Sequence, residues 1–195
     1  MGLDGIELVM DVEKHFSISI PDKEAEKAHT VGKLVDCVAH ILGIDGYDFS
    51  IRNKTFELIK SHLLSIDKNL RDFPIMSKVT DNLNVKNRLL VQELENKTKV
   101  KFPGIYFKVQ NRKGLFVKIK EYFSIEEYID FETIRWKKFI DVTLAKNLAI
   151  LIPPVEYKSK YEIYLAIMKI TVDKIGVNYS EIGIEKSFTD DLGVD

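Results

Sequence analysis

The chain has 195 residues, 45% of them hydrophobic, which is enough apolar material for one or two domains and excludes a disordered tail. A formal net charge of −1, from 29 basic and 30 acidic residues, argues against a general nucleic-acid-binding surface. Cys37 is the single cysteine, so an internal disulfide is excluded. No apolar run approaches the roughly 18 residues that cross a bilayer, and Asp4 and Glu7 follow Met1 where a signal peptide would be cationic; a cytoplasmic chain with no membrane partner is expected.

The first predicted element is an acidic, amphipathic helix over residues 3–16. Ile6, Val9, Met10 and Phe16 recur near helical spacing and are expected to face inward, with Asp4, Glu7, Asp11 and Glu13 mostly outward. Ile18, Ile20 and Pro21 make an extended stop, because a proline pushes its predecessor out of helical geometry. Asp22 is placed to cap a brief helix over residues 23–27. Thr30 then opens a helix whose Val31, Leu34, Val35, Val38 and Ile41 or Leu42 form one apolar face, and Gly43 ends it.

The middle of the chain changes period. Helices are predicted over residues 55–66, on Phe56, Ile59, Leu63 and Leu64, and over residues 84–96, on Leu89, Leu90 and Leu94. After Pro103, residues 106–110 and 115–120 alternate apolar with polar or basic side chains about a turn at 111–114, the pattern of a hairpin. Ser124 and Glu127 have capping-box spacing ahead of a long helical stretch through Trp136 to about Leu148, broken over residues 150–154. Ser159 and Glu162 repeat that spacing before a helix over residues 161–175. Its Ile163, Leu165, Ile167, Met168, Ile170 and Val172 are dense enough for deep burial, and Gly176 stops it.

The two ends carry a motif in swapped order. The C-terminal I-G-I-E-K-S-F-T-D-D-L-G-V-D, joined to the N-terminal G-L-D-G-I-E-L-V-M-D-V-E-K-H-F without Met1, resembles the central motif of acyl carrier proteins, D-L-G-x-D-S-L-D-x-x-E-L-V. I-P-D-K-E-A-E-K and T-V-G extend the resemblance. It implies a mainly α fold: a carrier-protein-like helical bundle formed from residues 1–43 together with 158–195, as permuted halves, with an inserted α+β region, residues 44–157, that resembles no family. Either the chain is a circular permutant or it is a piece cut through a tandem array; residues 42–48, L-G-I-D-G-Y-D, echo the motif faintly.

In that family the carrier is not an enzyme. It holds an acyl chain on a phosphopantetheine arm and docks its acidic second helix on partner enzymes. The resemblance therefore implies Asp4, Glu7, Asp11 and Glu13 as partner-binding carboxylates toward acyl-transfer or synthase enzymes, and Leu8, Val9, Val12, Phe16 and Val35 as lining of the apolar interior. The family's attachment Ser falls on Gly2, which has no hydroxyl to esterify. No phosphopantetheine is expected on this chain. The implied function is that of a carrier-like module lacking the attachment Ser, a non-catalytic carrier relative or protein-docking domain. Two alternatives stay open: a working acyl carrier in fatty-acid or polyketide-type synthesis within a tandem or longer protein, and an unrecognised enzyme or basic binding surface in the middle region.

From Lys97 to Lys120 the charged residues are all basic, with Tyr106, Phe107 and Phe116 interleaved. Lys108, Arg112, Lys113, Lys118 and Lys120 make a possible basic docking patch for an acidic helix of this chain or of a second copy, against the plainer reading of a lysine-protected hairpin edge. His15, His29, His40 and His62 show no metal spacing with Cys37, which falls among core positions. No Gly-rich phosphate loop, G-x-S-x-G or paired-carboxylate arrangement stands out, so neither catalysis nor a metal is expected.

Overall fold

The computed structural model describes residues 3–84, 87–106, 128–130, 133–152 and 156–194. Helix α1, Leu3–Phe16, buries Gly5, Leu8, Val12 and Phe16, a single row at steps of three and four residues. This row corrects the predicted inward face: Ile6 and Met10 are 50% and 59% exposed, and Val9 is half-buried. Helix α2, Asp22–Lys27, has Pro21 in the capping position, so Asp22 lies in the first turn and caps nothing with its side chain. Its charge still favours that end of the helix dipole. Helix α3, Val31–Leu42, starts where Thr30 Oγ1 accepts the Lys33 N–H at 3.3 Å. It stops at Gly43, whose φ of 67° is a left-handed value that costs a glycine little.

Helix α4, Ser50–Ile66, begins ahead of the predicted residue 55, because Asp48 Oδ1 accepts the Ser50 N–H at 2.8 Å and holds the entering turn. Phe56, Ile59 and Leu63 are its buried residues. Helix α5, Arg88–Thr98, buries Leu94, whereas Leu89 is 78% exposed, against the expectation that it belongs to the core face. Strand β1, Gly104–Tyr106, pairs in parallel with strand β2, Tyr128–Asp130, placing Ile105 opposite Ile129. The predicted helical stretch after residue 124 is therefore wrong at 128–130, and helix α6 starts only at Trp136 (Trp136–Lys146). A local capping rule cannot register that a segment is paired with a distant strand. The proposed hairpin, from residue 107 onward, lies outside the described residues, as do Ser124 and Glu127.

A short helix α7, Leu148–Leu151, follows Asn147. The Asn147 amide spans to the chain before β1: its Oδ1 accepts the Lys101 N–H at 2.8 Å and its Nδ2 donates to the Lys101 carbonyl at 2.7 Å. Around Trp136, which is fully buried, Phe73 and Phe139 lie at centroid distances of 5.8 and 5.5 Å.

The last helix, α8 (Lys160–Ile175), is the centre of the molecule. Ser159 Oγ accepts the Glu162 N–H at 3.3 Å, and Glu162 reaches back to the Lys158 N–H at 2.6 Å, one residue beyond the usual reciprocal bond of a capping box. Between Tyr161 and Val172 nearly every side chain is buried, since α8 packs on α1, α3 and α6 at once. Thus the chain's last helix joins its first and third.

The segment after α8 seals that arrangement. Val31 N–H donates to the Lys186 carbonyl at 2.9 Å, Gly32 N–H to the Ile184 carbonyl at 2.8 Å, and Phe188 N–H to the His29 carbonyl at 3.1 Å. Ile182, Phe188, Leu192 and Val194 are buried beneath it. Helix α4 packs on α5 and α6, so the core runs without a break from α5 through α6 and α8 to α1 and α3. The architecture is mainly α, with one short parallel strand pair among the described residues. No described helix is long and apolar enough to cross a membrane.

Candidate functional site

At 100° per residue, Asp4, Glu7 and Asp11 share one side of α1, and Leu3, Ile6 and Met10 form the neighbouring stripe. Leu3 is 71% exposed, so this apolar stripe is open along its length. Glu13 lies on the far side of the stripe from Glu7. The four carboxylates predicted as one partner-binding set thus have different local duties. Glu7 Oε2 is 2.5 Å from Lys174 Nζ of α8, and Asp11 is 3.7 Å from the same nitrogen. The hydrogen bond from Lys174 to Glu7 holds the ammonium above its ordinary range. Glu13 Oε1 accepts the Ile20 N–H at 2.6 Å, which fixes the extended stop after α1. Asp4 is exposed at the helix start.

Of the residues implied to line the interior, Leu8, Val12, Phe16 and Val35 are buried and Val9 is half-buried. His15 and Tyr157 close one end of this core. The His15 Nε2 and Tyr157 hydroxyl are 2.6 Å apart, and burial, with Lys169 adding a smaller effect, lowers the imidazole pKa. His62 pairs with Glu93 at 3.0 Å, and His29 and His40 are exposed. Burial first, and Glu24 second, push the Cys37 thiol up, which disfavours the reactive thiolate. Among the described residues no three metal-ligating side chains cluster. Gly2 lies outside the described residues, and so do Lys108, Arg112, Lys113, Lys118 and Lys120.

Sequence reasoning missed a cleft of about 530 Å³ between α4, α6, α8 and residues 180–186. Three pairs at i,i+3 contribute to it: Phe49 and Arg52, Lys138 and Asp141, Tyr161 and Tyr164. Asp141 Oδ1 accepts the Tyr161 hydroxyl at 2.5 Å and is 3.7 Å from Arg52 Nη1. Burial pushes the Asp141 carboxyl up, opposed by the Tyr161 hydrogen bond and by Arg52. Lys138 Nζ donates to the Ile182 carbonyl, and burial brings its pKa down to about 8. The Arg52 guanidinium carbon is 4.1 Å from the Phe49 ring centroid and 5.2 Å from that of Tyr161.

This is a mainly α protein, part of whose sequence is similar to acyl carrier proteins. One such relative is the mitochondrial acyl carrier protein of Neurospora crassa, 50% identical over 36 residues, a match covering 18% of this chain and 27% of that protein. The chain therefore spans about a quarter of the length of that relative. No protein-family profile and no solved structure matches the chain. The likeness is to a carrier and not to a catalytic domain.

Proposed function

We propose that residues 1–43 and 158–195 form an acyl-carrier-like module in permuted order, with residues 44–157 as its insert, and that the module docks on acyl-transfer or synthase enzymes through α1 without itself performing catalysis. The observation that carries this reading is the seating of α8 against α1 and α3, with residues 184–188 bonded to residues 29–32, so that segments from the two chain ends share one core. The 36-residue similarity supports the carrier half of it. Gly2 does not fit a phosphopantetheine ester, since it offers no oxygen nucleophile. In this reading the docking surface is the exposed stripe of Leu3, Ile6 and Met10, flanked by Asp4 and Glu7. Apolar contact would supply affinity there and the carboxylates orientation. The single cysteine supports a reducing compartment, the cytoplasm, whereas the N. crassa relative is named as mitochondrial.

Intact-mass measurement after incubation with a phosphopantetheinyl transferase and coenzyme A tests the proposal. The natural chain should keep its mass, Gly2→Ser should gain one arm, and Asp4→Lys with Ile6→Glu in the Gly2→Ser background, folded by circular dichroism, should lose that gain. An arm on the natural chain would sink the armless reading. A folded Gly2→Ser protein that stays unmodified would sink the carrier-like docking face.

A further inference from the structure

We propose that the cleft between α4, α6, α8 and residues 180–186 binds a small organic anion, with its acid group against Arg52 and Lys138 and its apolar body against the rim. This inference makes no use of α1 or Gly2 and stands apart from the docking function.

The first observation is an unused buried donor. The Arg52 side chain is only 12% exposed, and its Nε is buried with no hydrogen-bond partner among the described residues. The Asp141 carboxylate, which accepts the Tyr161 hydroxyl, lies 3.7 Å from Arg52 Nη1, an ion pair without a direct hydrogen bond. A guanidinium carries five N–H donors in a planar fork, and even one left unpaired away from water is costly. Phe49 and Tyr161 stack on the guanidinium within cation–π range, so aromatic surface occupies its face and the donor edge is what remains to be matched. A carboxylate or phosphate fits that edge in two parallel hydrogen bonds, which a carbonyl or hydroxyl cannot supply.

The charge of the cleft agrees with the donor. Five cationic and three acidic side chains line it, an excess of positive charge on a chain whose formal net charge is −1. Lys138 adds a second, largely desolvated cation on the same wall as Asp141. A bound acid group would offset the burial of both cations.

The rim supplies the other half of the ligand. Tyr47, Phe49, Met76 and Ile184 all line the cleft, and they are 40%, 37%, 49% and 38% exposed. Tyr47 and Phe49 are stacked at 5.7 Å, forming a flat wall. Large apolar side chains left open around a cationic floor match a ligand with an acid head and an apolar or aromatic body. The volume, about 530 Å³, suits a small molecule and not a polypeptide.

Isothermal titration of the full chain with benzoate, phenyl phosphate and the neutral benzyl alcohol tests the proposal. At least one of the two anions should bind saturably at one site, the tighter of them naming the acid group, and benzyl alcohol should not. Arg52→Gln should weaken that binding about tenfold or more, and Arg52→Lys less. Lys138→Gln provides a second variant, and far-UV circular dichroism shows whether each is folded. Absence of saturable binding by both anions would overturn the proposal. So would equal binding of benzyl alcohol, or anion affinity unchanged in folded Arg52→Gln or, should that variant not fold, in Lys138→Gln.

Discussion

Trp136→Ala is expected to lower the unfolding free energy by about 3–5 kcal/mol, the range for removing a large aromatic side chain from a packed core. Trp136 is fully buried at the start of α6, against Phe73, Phe139 and Phe56, the last at a centroid distance of 6.1 Å. Its indole Nε1 also donates to Asn82 Oδ1 at 3.0 Å, so truncation removes the packing and a donor together. Folded domains of this size have only about 5–15 kcal/mol to lose, and the change is a large fraction of that. Trp136→Phe should cost less, since it retains a ring and forfeits mainly the hydrogen bond. Denaturant unfolding followed by circular dichroism measures both. The chain's one tryptophan is the residue replaced, so tryptophan fluorescence cannot follow the variants. Because α6 packs on both α4 and α8, the loss should shift one cooperative transition. A change below about 1 kcal/mol would place the indole outside a packed core.

Helices with local punctuation were legible from the sequence. Thr30 and Gly43 bracket α3, and Ser159 and Gly176 bracket α8; in both cases the stop and start chemistry depends only on residues within one turn. The burial density of α8 was readable as well, because a helix covered on several sides has no need of a polar face. The failures have a common origin in distant partners. In α1, apolar residues stand at positions 3, 6, 8, 9, 10, 12 and 16, enough to draw more than one apolar stripe; α8 selects the row through Leu8 and Val12 and leaves Ile6 and Met10 outside. Strands β1 and β2 are three residues each and pair in parallel across a long connection, so neither segment carries a sufficient period of its own.

The candidate site divides along the same line. The carboxylates of α1 could be named from the chain ends, but the sequence did not reveal that Lys174 pairs with Glu7 and Asp11 or that Glu13 binds the backbone at Ile20. The cleft was invisible because Arg52, Lys138 and Tyr161 are far apart in the chain and meet only through helix packing. Its i,i+3 pairs are a faint signal, since such spacing is common in any helix.

The segment after α8 packs on the start of α3, and Gly32 is where that contact is tightest. A Cβ at this position would lie 2.8 Å from the Ile184 carbonyl oxygen, the same atom that accepts the Gly32 N–H. The obstacle is backbone, which cannot swing aside as a long side chain can. Considered as a helical residue alone, Gly32 replaced by Ala should stabilise the protein by up to about 1 kcal/mol. The contact reverses that sign, with a net loss of about 1–3 kcal/mol, in the range of forcing extra atoms into a packed site. The decisive measurement is the urea unfolding midpoint of Gly32→Ala beside that of the natural chain: a lower midpoint at unchanged slope is the predicted result, and a higher one would contradict the joining of the two chain ends in one core.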